Sequence, residues 1–117
     1  MVSKEPTVTE GAPSGVAVPR GCPLDRVLRL LSGEWTTHII WVLNKNGPTR
    51  HGELRRLVEG ISSKVLTDRL RMLEEENIVF RDYEPTVPPK VTYGLTDLGL
   101  ELDQALRAIE SIAKRWS

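Results

Sequence analysis

The sequence predicts a mainly α-helical domain that carries one small β-hairpin near its carboxyl end. Apolar residues recur at helical spacing along most of the chain after residue 21. Residues 78–95 differ, because they are rich in β-branched and aromatic side chains and are divided by a proline-bearing loop. The 117 residues are 39% hydrophobic and 27% charged, which is typical of one small soluble domain.

Composition excludes several classes of protein. No run approaches the ~18–20 apolar residues of a membrane-spanning helix, and the N-terminus lacks the apolar core of a secretory signal, so we expect a cytoplasmic protein. Cys22 is the single cysteine, which excludes an intrachain disulfide and a cysteine-rich zinc module. Sixteen basic and sixteen acidic residues give a formal net charge of zero, so binding to nucleic acid would depend on where the charges lie.

Residues 1–21 are predicted to form a flexible tail. They contain Pro6, Pro13 and Pro19, several serines and threonines, and no apolar periodicity, so they cannot bury enough surface to offset the entropy of ordering. The remaining residues, 22–117, form the predicted domain. A domain of this size is marginal as a monomer, which favours a dimer.

Three helices are predicted before the centre of the chain. Proline suits the first position of a helix, and the first helix starts at Cys22-Pro23 and stops at Ser32-Gly33. The second, over residues 35–43, is apolar on almost every side, and we expect Thr36 or Thr37 to cap it. A turn at residues 46–48 leads to a short third helix from about residue 52 to 58, with its leucines inward and Arg55 and Arg56 outward.

The fourth helix is predicted to begin at Ser62 or Ser63 and to run to about Glu76. Its apolar positions share one face and its polar positions recur at i, i+3, i+4 and i+7 on the other. Together with the third helix and a glycine-containing turn, it has the pattern of a helix-turn-helix. Strands at residues 78–83 and 91–95 then form a hairpin, and Thr96 caps a long last helix. This order predicts a winged helix-turn-helix.

The polar face of the fourth helix is the candidate DNA-binding surface. A major groove admits a helix, lysine can bind guanine, hydroxyls reach bases or phosphates, and a carboxylate accepts from cytosine N4. Arginines and lysines on the third helix and near the hairpin are suited to phosphate contacts, which add affinity without sequence information. The candidate DNA-binding residues are Ser62, Ser63, Lys64, Thr67, Asp68, Arg71, Arg55, Arg56, Arg81 and Lys90.

Several separate motifs follow one ordered pattern: Cys22-Pro23, Gly33–Trp35, Glu53–Arg56, Ile61–Thr67, Leu70-Arg71 with Leu73-Glu74, and Val87–Thr96. Through these motifs the chain resembles the HxlR family of bacterial transcription regulators, which are MarR-like winged-helix dimers. The resemblance runs from about Cys22 to Trp116. Glu34, His51 and Gly52 depart from the usual family residues at their positions, and none of them lies on the fourth helix.

The resemblance implies a homodimer whose fourth helices contact the two half-sites of an operator, most often as a repressor near its own gene. It implies that the first and last helices form the interface. The residues agree, because the apolar stripe of the last helix has no obvious cover within so small a chain. The expected interface residues are Leu24, Val27, Leu28, Leu98, Leu102, Leu106, Ile109, Ala113 and Trp116.

Some relatives use a cysteine matching Cys22 to sense quinones, aldehydes or oxidants, and a helix N-terminus beside Arg20 and Arg26 favours the reactive thiolate. The alternative is a small buried hydrophobe at the interface. A small-molecule pocket beside Trp35 and Trp41 is a further possibility, against the simpler assignment of both rings to the core.

An enzyme is disfavoured, because the sequence lacks a nucleophile with a nearby base, a phosphate-binding glycine loop and paired carboxylates. We expect no cofactor, and no metal at His38 or His51, which are far apart and lack neighbouring ligands. The main competing function is a winged-helix protein–protein interaction module without specific DNA binding, for which the net charge of zero is the best argument.

Overall fold

The computed structural model describes residues 22–116, so the predicted tail lies outside the described residues. The chain divides into two compact units, one ending at Leu31 and the other beginning at Ser32. In the first unit, helix α1 spans Pro23–Leu31, as predicted. Asp25 and Arg29 form an ion pair of 3.0 Å along it, and Leu24 and Leu28 are exposed.

The second unit contains four helices around one core. Helices α2 (Thr36–Asn46), α3 (His51–Leu57) and α4 (Ser63–Glu75) precede the hairpin, and α5 (Asp97–Trp116) follows it. The fold class and the order of the helices are therefore as predicted. The apolar core consists of Ile39, Ile40, Leu43, Leu54, Val58, Ile61, Leu66, Leu70, Leu73, Ile78, Val79 and Tyr93.

The predicted cap of α2 is wrong. Trp35 occupies the capping position with a left-handed backbone (φ 75°), and no side chain caps this end. Thr36 is already the first helical residue, and its buried hydroxyl has no hydrogen-bond partner among the described residues. A capping side chain must precede the helix, and the sharp turn at Trp35 carries both threonines past that position.

The sheet has three strands rather than the predicted two. Strands β2 (Val79–Glu84) and β3 (Lys90–Leu95) form the expected antiparallel hairpin, with Phe80 opposite Gly94. The unpredicted strand, β1, consists of Thr49–Arg50 and pairs with the other edge of β3, which gives the order β1-β3-β2. The sheet therefore anchors the start of α3 to the middle of β3.

Helix α5 begins where the sheet ends. The Thr96 hydroxyl accepts a hydrogen bond from the Gly99 amide at 3.0 Å, which confirms Thr96 as the cap, and donates to the Asn77 carbonyl at 2.7 Å. A Cβ built on Gly99 would lie 2.2 Å from the Ile78 carbonyl oxygen, so only glycine permits this approach. Among the described helices, none combines the length and apolar character that crossing a bilayer requires.

Candidate nucleic-acid interface

Helix α4 separates its residues as the sequence predicts. Leu66, Leu70 and Leu73 are fully buried, and Val65 is half-buried. The Ser62 hydroxyl accepts a hydrogen bond from the Val65 amide at 3.1 Å and so fixes the first turn. The predicted contact face is exposed at Ser62, Ser63, Lys64, Asp68 and Arg71 and half-buried at Thr67.

Lys64 and Asp68 form an ion pair on this face. The Lys64 Nζ lies 3.1 Å from the Asp68 carboxylate, and the lysine side chain is 85% exposed. An exposed i,i+4 pair contributes only about 0.3–0.5 kcal/mol, so it breaks easily when a stronger partner arrives. Asp68 therefore keeps the Lys64 side chain close to the surface of α4, but the ion pair is too weak to prevent Lys64 from contacting a base or a phosphate.

Thr67 has a partner on the preceding helix. The His51 Nε2 lies 3.0 Å from the Thr67 hydroxyl, and the His51 ring lies 6.3 Å from the ring of Tyr93 on β3. Burial lowers the pKa of His51, and the positive charge of Arg55 lowers it further. The two residues that the sequence left unconnected thus meet across the helix-turn-helix.

The two arginines of α3 are both exposed, as predicted, but their surroundings differ. Arg56 donates from its Nε to Glu53 at 3.1 Å and makes a second, shorter contact with the same carboxylate. Hydrogen bonding and the charge of Glu53 raise the pKa of Arg56. Since this carboxylate offsets the charge of Arg56, Arg55 is the stronger of the two candidates for a phosphate contact.

A hydrogen bond to the backbone before α2 also helps to fix the position of α4. Arg69 donates a hydrogen bond from its Nε to the Glu34 carbonyl oxygen at 2.8 Å. This contact joins residues 35 positions apart and fixes the middle of α4 relative to the turn at residues 32–35. This role of Arg69 was not predicted. The sequence shows only that Arg69 lies between the buried face and the exposed face of α4.

The hairpin carries the other predicted phosphate contacts. Arg81 is exposed on β2 and lies 5.4 Å from the Tyr83 ring, at cation–π distance. Lys90 is half-buried at the start of β3 and is opposite Glu84. The connecting loop is exposed throughout, and Val87 at its tip is completely exposed. The contact of Tyr83 with Arg81 was not predicted, because only the charged residues of this segment were assigned to the DNA-binding surface.

A groove of about 410 Å³ lies between α2 and α5. Trp41, one of its lining residues, is 42% exposed, so its assignment to the core is wrong. A second hollow of about 340 Å³ is lined by Trp35, Trp41 and apolar residues that include Leu57 and Val58. The groove is lined by Thr37, His38, Trp41, Leu106, Arg107, Ile109 and Glu110.

The Cys22 thiol lies at the start of α1, as expected. Its Sγ accepts a hydrogen bond from the Asp25 amide at 3.4 Å, and the residue is partly exposed. Within residues 22–116, no group of three or more histidine, cysteine or acidic residues could hold a metal ion.

Comparison with known proteins gives consistent matches. The model of the HxlR-like helix-turn-helix family matches residues 30–117. The regulatory protein MalR of Fusobacterium mortiferum is 38% identical over 85 residues, which make up 73% of this chain and 80% of MalR. The HTH-type transcriptional regulator sll1512 of Synechocystis is 39% identical over 95 residues, or 81% of this chain and 70% of that protein.

Solved structures give the same result. The reduced form of the transcriptional regulator YodB from Bacillus subtilis has a TM-score of 0.72 and 36% identity, and the match covers 80% of this chain and 92% of YodB. Diamide-treated and quinone-bound forms of YodB also match. These similarities confirm the predicted winged helix-turn-helix fold.

Proposed function

The chain belongs to the HxlR-like helix-turn-helix family of DNA-binding transcription regulators, and we propose that it binds its operator as a homodimeric repressor through the exposed face of α4. One observation carries the assignment of this face. The buried side of α4 is fully packed and its N-terminus is capped, while hydroxyl, amine and carboxylate groups line the other side. A major groove admits such a helix and offers partners to each of these groups.

Phosphate contacts are assigned to the residues that flank α4. Arg55 on α3, with Arg81 and Lys90 on the hairpin, would neutralise backbone charge on both sides of the groove. Arg56 would contribute after release from Glu53. These local charges supply the attraction that a net charge of zero cannot.

The homodimer proposal rests on the apolar stripe of α5. Ile109 is 56% exposed and Trp116 is 87% exposed, and Leu98 is also half-exposed. A stripe of this length on a chain of 117 residues is typical of a partner surface. A two-fold dimer would present two copies of α4 to half-sites about one helical turn apart, or roughly 10 base pairs. The exposed leucines of α1 are proposed to join this interface.

We assign signal detection to Cys22. The similarity to YodB, whose structures include diamide-treated and quinone-bound forms, supports a reactive thiol here. The thiol lies at the start of α1, where its Sγ accepts a hydrogen bond from the Asp25 amide. Because Cys22 is the single cysteine, a response would proceed by adduct formation, oxidation or a disulfide between subunits. Comparison of the wild type with Cys22→Ser after quinone treatment, by mass spectrometry and operator binding, tests this assignment.

The experiment that tests the proposed function is fluorescence-anisotropy binding of the reduced protein to the DNA upstream of its own gene. A shuffled duplex of the same composition is the control, and excess nonspecific DNA is present throughout. We expect preference for the native fragment and a steep loss of affinity with salt, because each phosphate contact releases a counterion. If a wider selection of sequences also yielded no preferred duplex, the protein–protein interaction module would replace the proposed function.

A further inference from the structure

The contact between His51 and Thr67 links the first residue of α3 to the exposed face of α4. The two side chains are 16 positions apart in the sequence, and the Nε2 and Oγ1 atoms are 3.0 Å apart. Thr67 lies one turn after Lys64 and one turn before Arg71, at the centre of the candidate DNA-binding face. The contact therefore acts on a residue at the centre of the candidate DNA-binding face.

A threonine hydroxyl can form a hydrogen bond with a base in two ways, as a donor or as an acceptor. It has one proton to donate and two lone pairs that accept, and it rotates to suit its partners. If the His51 Nε2 accepts the proton, Thr67 offers DNA only lone pairs, which suit the amino groups of adenine or cytosine. If Nε2 donates instead, the hydroxyl proton points elsewhere and suits the acceptors of guanine or thymine.

The surroundings of His51 hold its ring in place. The ring is half-buried against Tyr93 of β3, and strand β1 ends at the residue before it. Burial lowers the pKa of the imidazole, as does the charge of Arg55, so the ring is mainly neutral at pH 7. A neutral imidazole presents one donor and one acceptor, and its tautomer then sets the direction of the Thr67 hydroxyl.

We propose that His51 is a positioning residue that fixes the direction of the Thr67 hydroxyl and thereby determines which base edge Thr67 contacts. The inference rests on the proposed function, because it requires α4 to lie in the major groove. It assigns to α3 a role in sequence preference as well as in phosphate binding.

The hydrogen bond is tested first in the free protein. Nitrogen-15 NMR of the histidine side chains, recorded for the wild type and Thr67→Val, reports the tautomer and protonation of His51. We expect the His51 Nε2 resonance to move in the valine variant while the resonances of His38 stay unchanged. An unchanged His51 resonance would overturn the proposal without any measurement on DNA.

The effect on specificity is tested with three variants on a panel of operators. Thr67→Val identifies the base pair that Thr67 contacts. His51→Phe keeps an aromatic ring against Tyr93 but removes the hydrogen bond to Thr67. His51→Gln places a side-chain amide near the position of the His51 Nε2, so that a hydrogen bond to Thr67 can still form. We expect His51→Phe to reduce discrimination at that base pair about three- to tenfold, and His51→Gln to retain most of it. In the Thr67→Val background, His51→Phe should cause no further loss of discrimination at that base pair.

Two results would overturn the proposal while leaving the proposed function intact. One is equal discrimination by the wild type and His51→Phe, and the other is an equal loss in the phenylalanine and glutamine variants. Thermal unfolding of each variant shows whether it is folded. A wild-type protein with no sequence preference would contradict the proposed function, and this inference with it.

Discussion

Ser62 fixes the residue at which α4 begins. Its hydroxyl accepts from the Val65 amide, one of the four amides that the first turn of a helix leaves without a helical partner. Thr96 does the same for α5 through the Gly99 amide. The sequence predicts Thr96 as the cap of α5 and narrows the cap of α4 to Ser62 or Ser63, because a hydroxyl residue before an apolar periodic run is a local signal.

Removal of the Ser62 hydroxyl should weaken the domain. We expect Ser62→Ala to lower the free energy of unfolding by about 0.5–2 kcal/mol, because the Val65 amide loses its partner. Ser63→Ala is the matched control, since Ser63 is exposed inside the helix and should change stability by less than about 0.5 kcal/mol. Urea unfolding of both variants measures the difference. An equal decrease in the free energy of unfolding for the two variants would contradict a specific stabilising role of the Ser62 cap.

His51 should make stability depend on pH. Its pKa in the folded protein is below the ordinary value of 6.5, so between these two values the unfolded chain binds more protons. Stability should therefore fall as the pH is lowered through 6.5 and should level off below the folded pKa. We expect His51→Phe to lose this part of the dependence in unfolding experiments between pH 5 and 8. If the stability of the wild type and of His51→Phe depended on pH in the same way, the lowered pKa of His51 would be contradicted.

At the scale of elements, the predictable parts have local signals. Helices α1, α4 and α5 and the hairpin lie within one or two residues of their predicted bounds, because periodicity, caps and turn residues mark them. Strand β1 was missed because its two residues are a strand only through pairing with Thr92 and Tyr93. The candidate face of α4 was likewise predictable, whereas the contacts of Thr67 with His51 and of Arg69 with Glu34 join distant positions and leave no local pattern.

The approach of α5 to Ile78, the residue before β2, depends on Gly99. A methyl group there would collide with the Ile78 carbonyl, which is backbone and cannot move aside alone. We expect Gly99→Ala to destabilise the domain by about 1–3 kcal/mol. Gly52→Ala is the control, because a Cβ there meets nothing within 4 Å and alanine favours helix by up to about 1 kcal/mol. A Gly99→Ala variant as stable as the wild type would exclude the close approach.

At the scale of the whole molecule, the proposed dimer accounts for apolar surface that the described chain leaves exposed. We expect Ile109→Glu to give monomers in sedimentation velocity and to abolish operator binding, because a charge would be buried in the interface. Ile109 is exposed in the chain, so the substitution should leave the fold intact by circular dichroism. Leu106→Glu should act in the same direction.

Gln104→Glu adds the same charge to α5 at an exposed position outside the apolar stripe. This control variant should remain dimeric and bind the operator. An Ile109→Glu protein that also stayed dimeric would exclude α5 as the interface.

The central claim is that the exposed face of α4 contacts bases in two half-sites. The most direct measurement compares wild type and Lys64→Ala on a panel of operators in which each base pair is changed in turn, with Arg81→Ala as the phosphate-contact control. We predict that Lys64→Ala loses about 1–3 kcal/mol of discrimination at one position in each half-site. These positions should be separated by about one helical turn or a small multiple. Arg81→Ala should weaken every duplex alike. A uniform loss across the panel for Lys64→Ala would contradict the assignment of α4 as the helix that determines sequence.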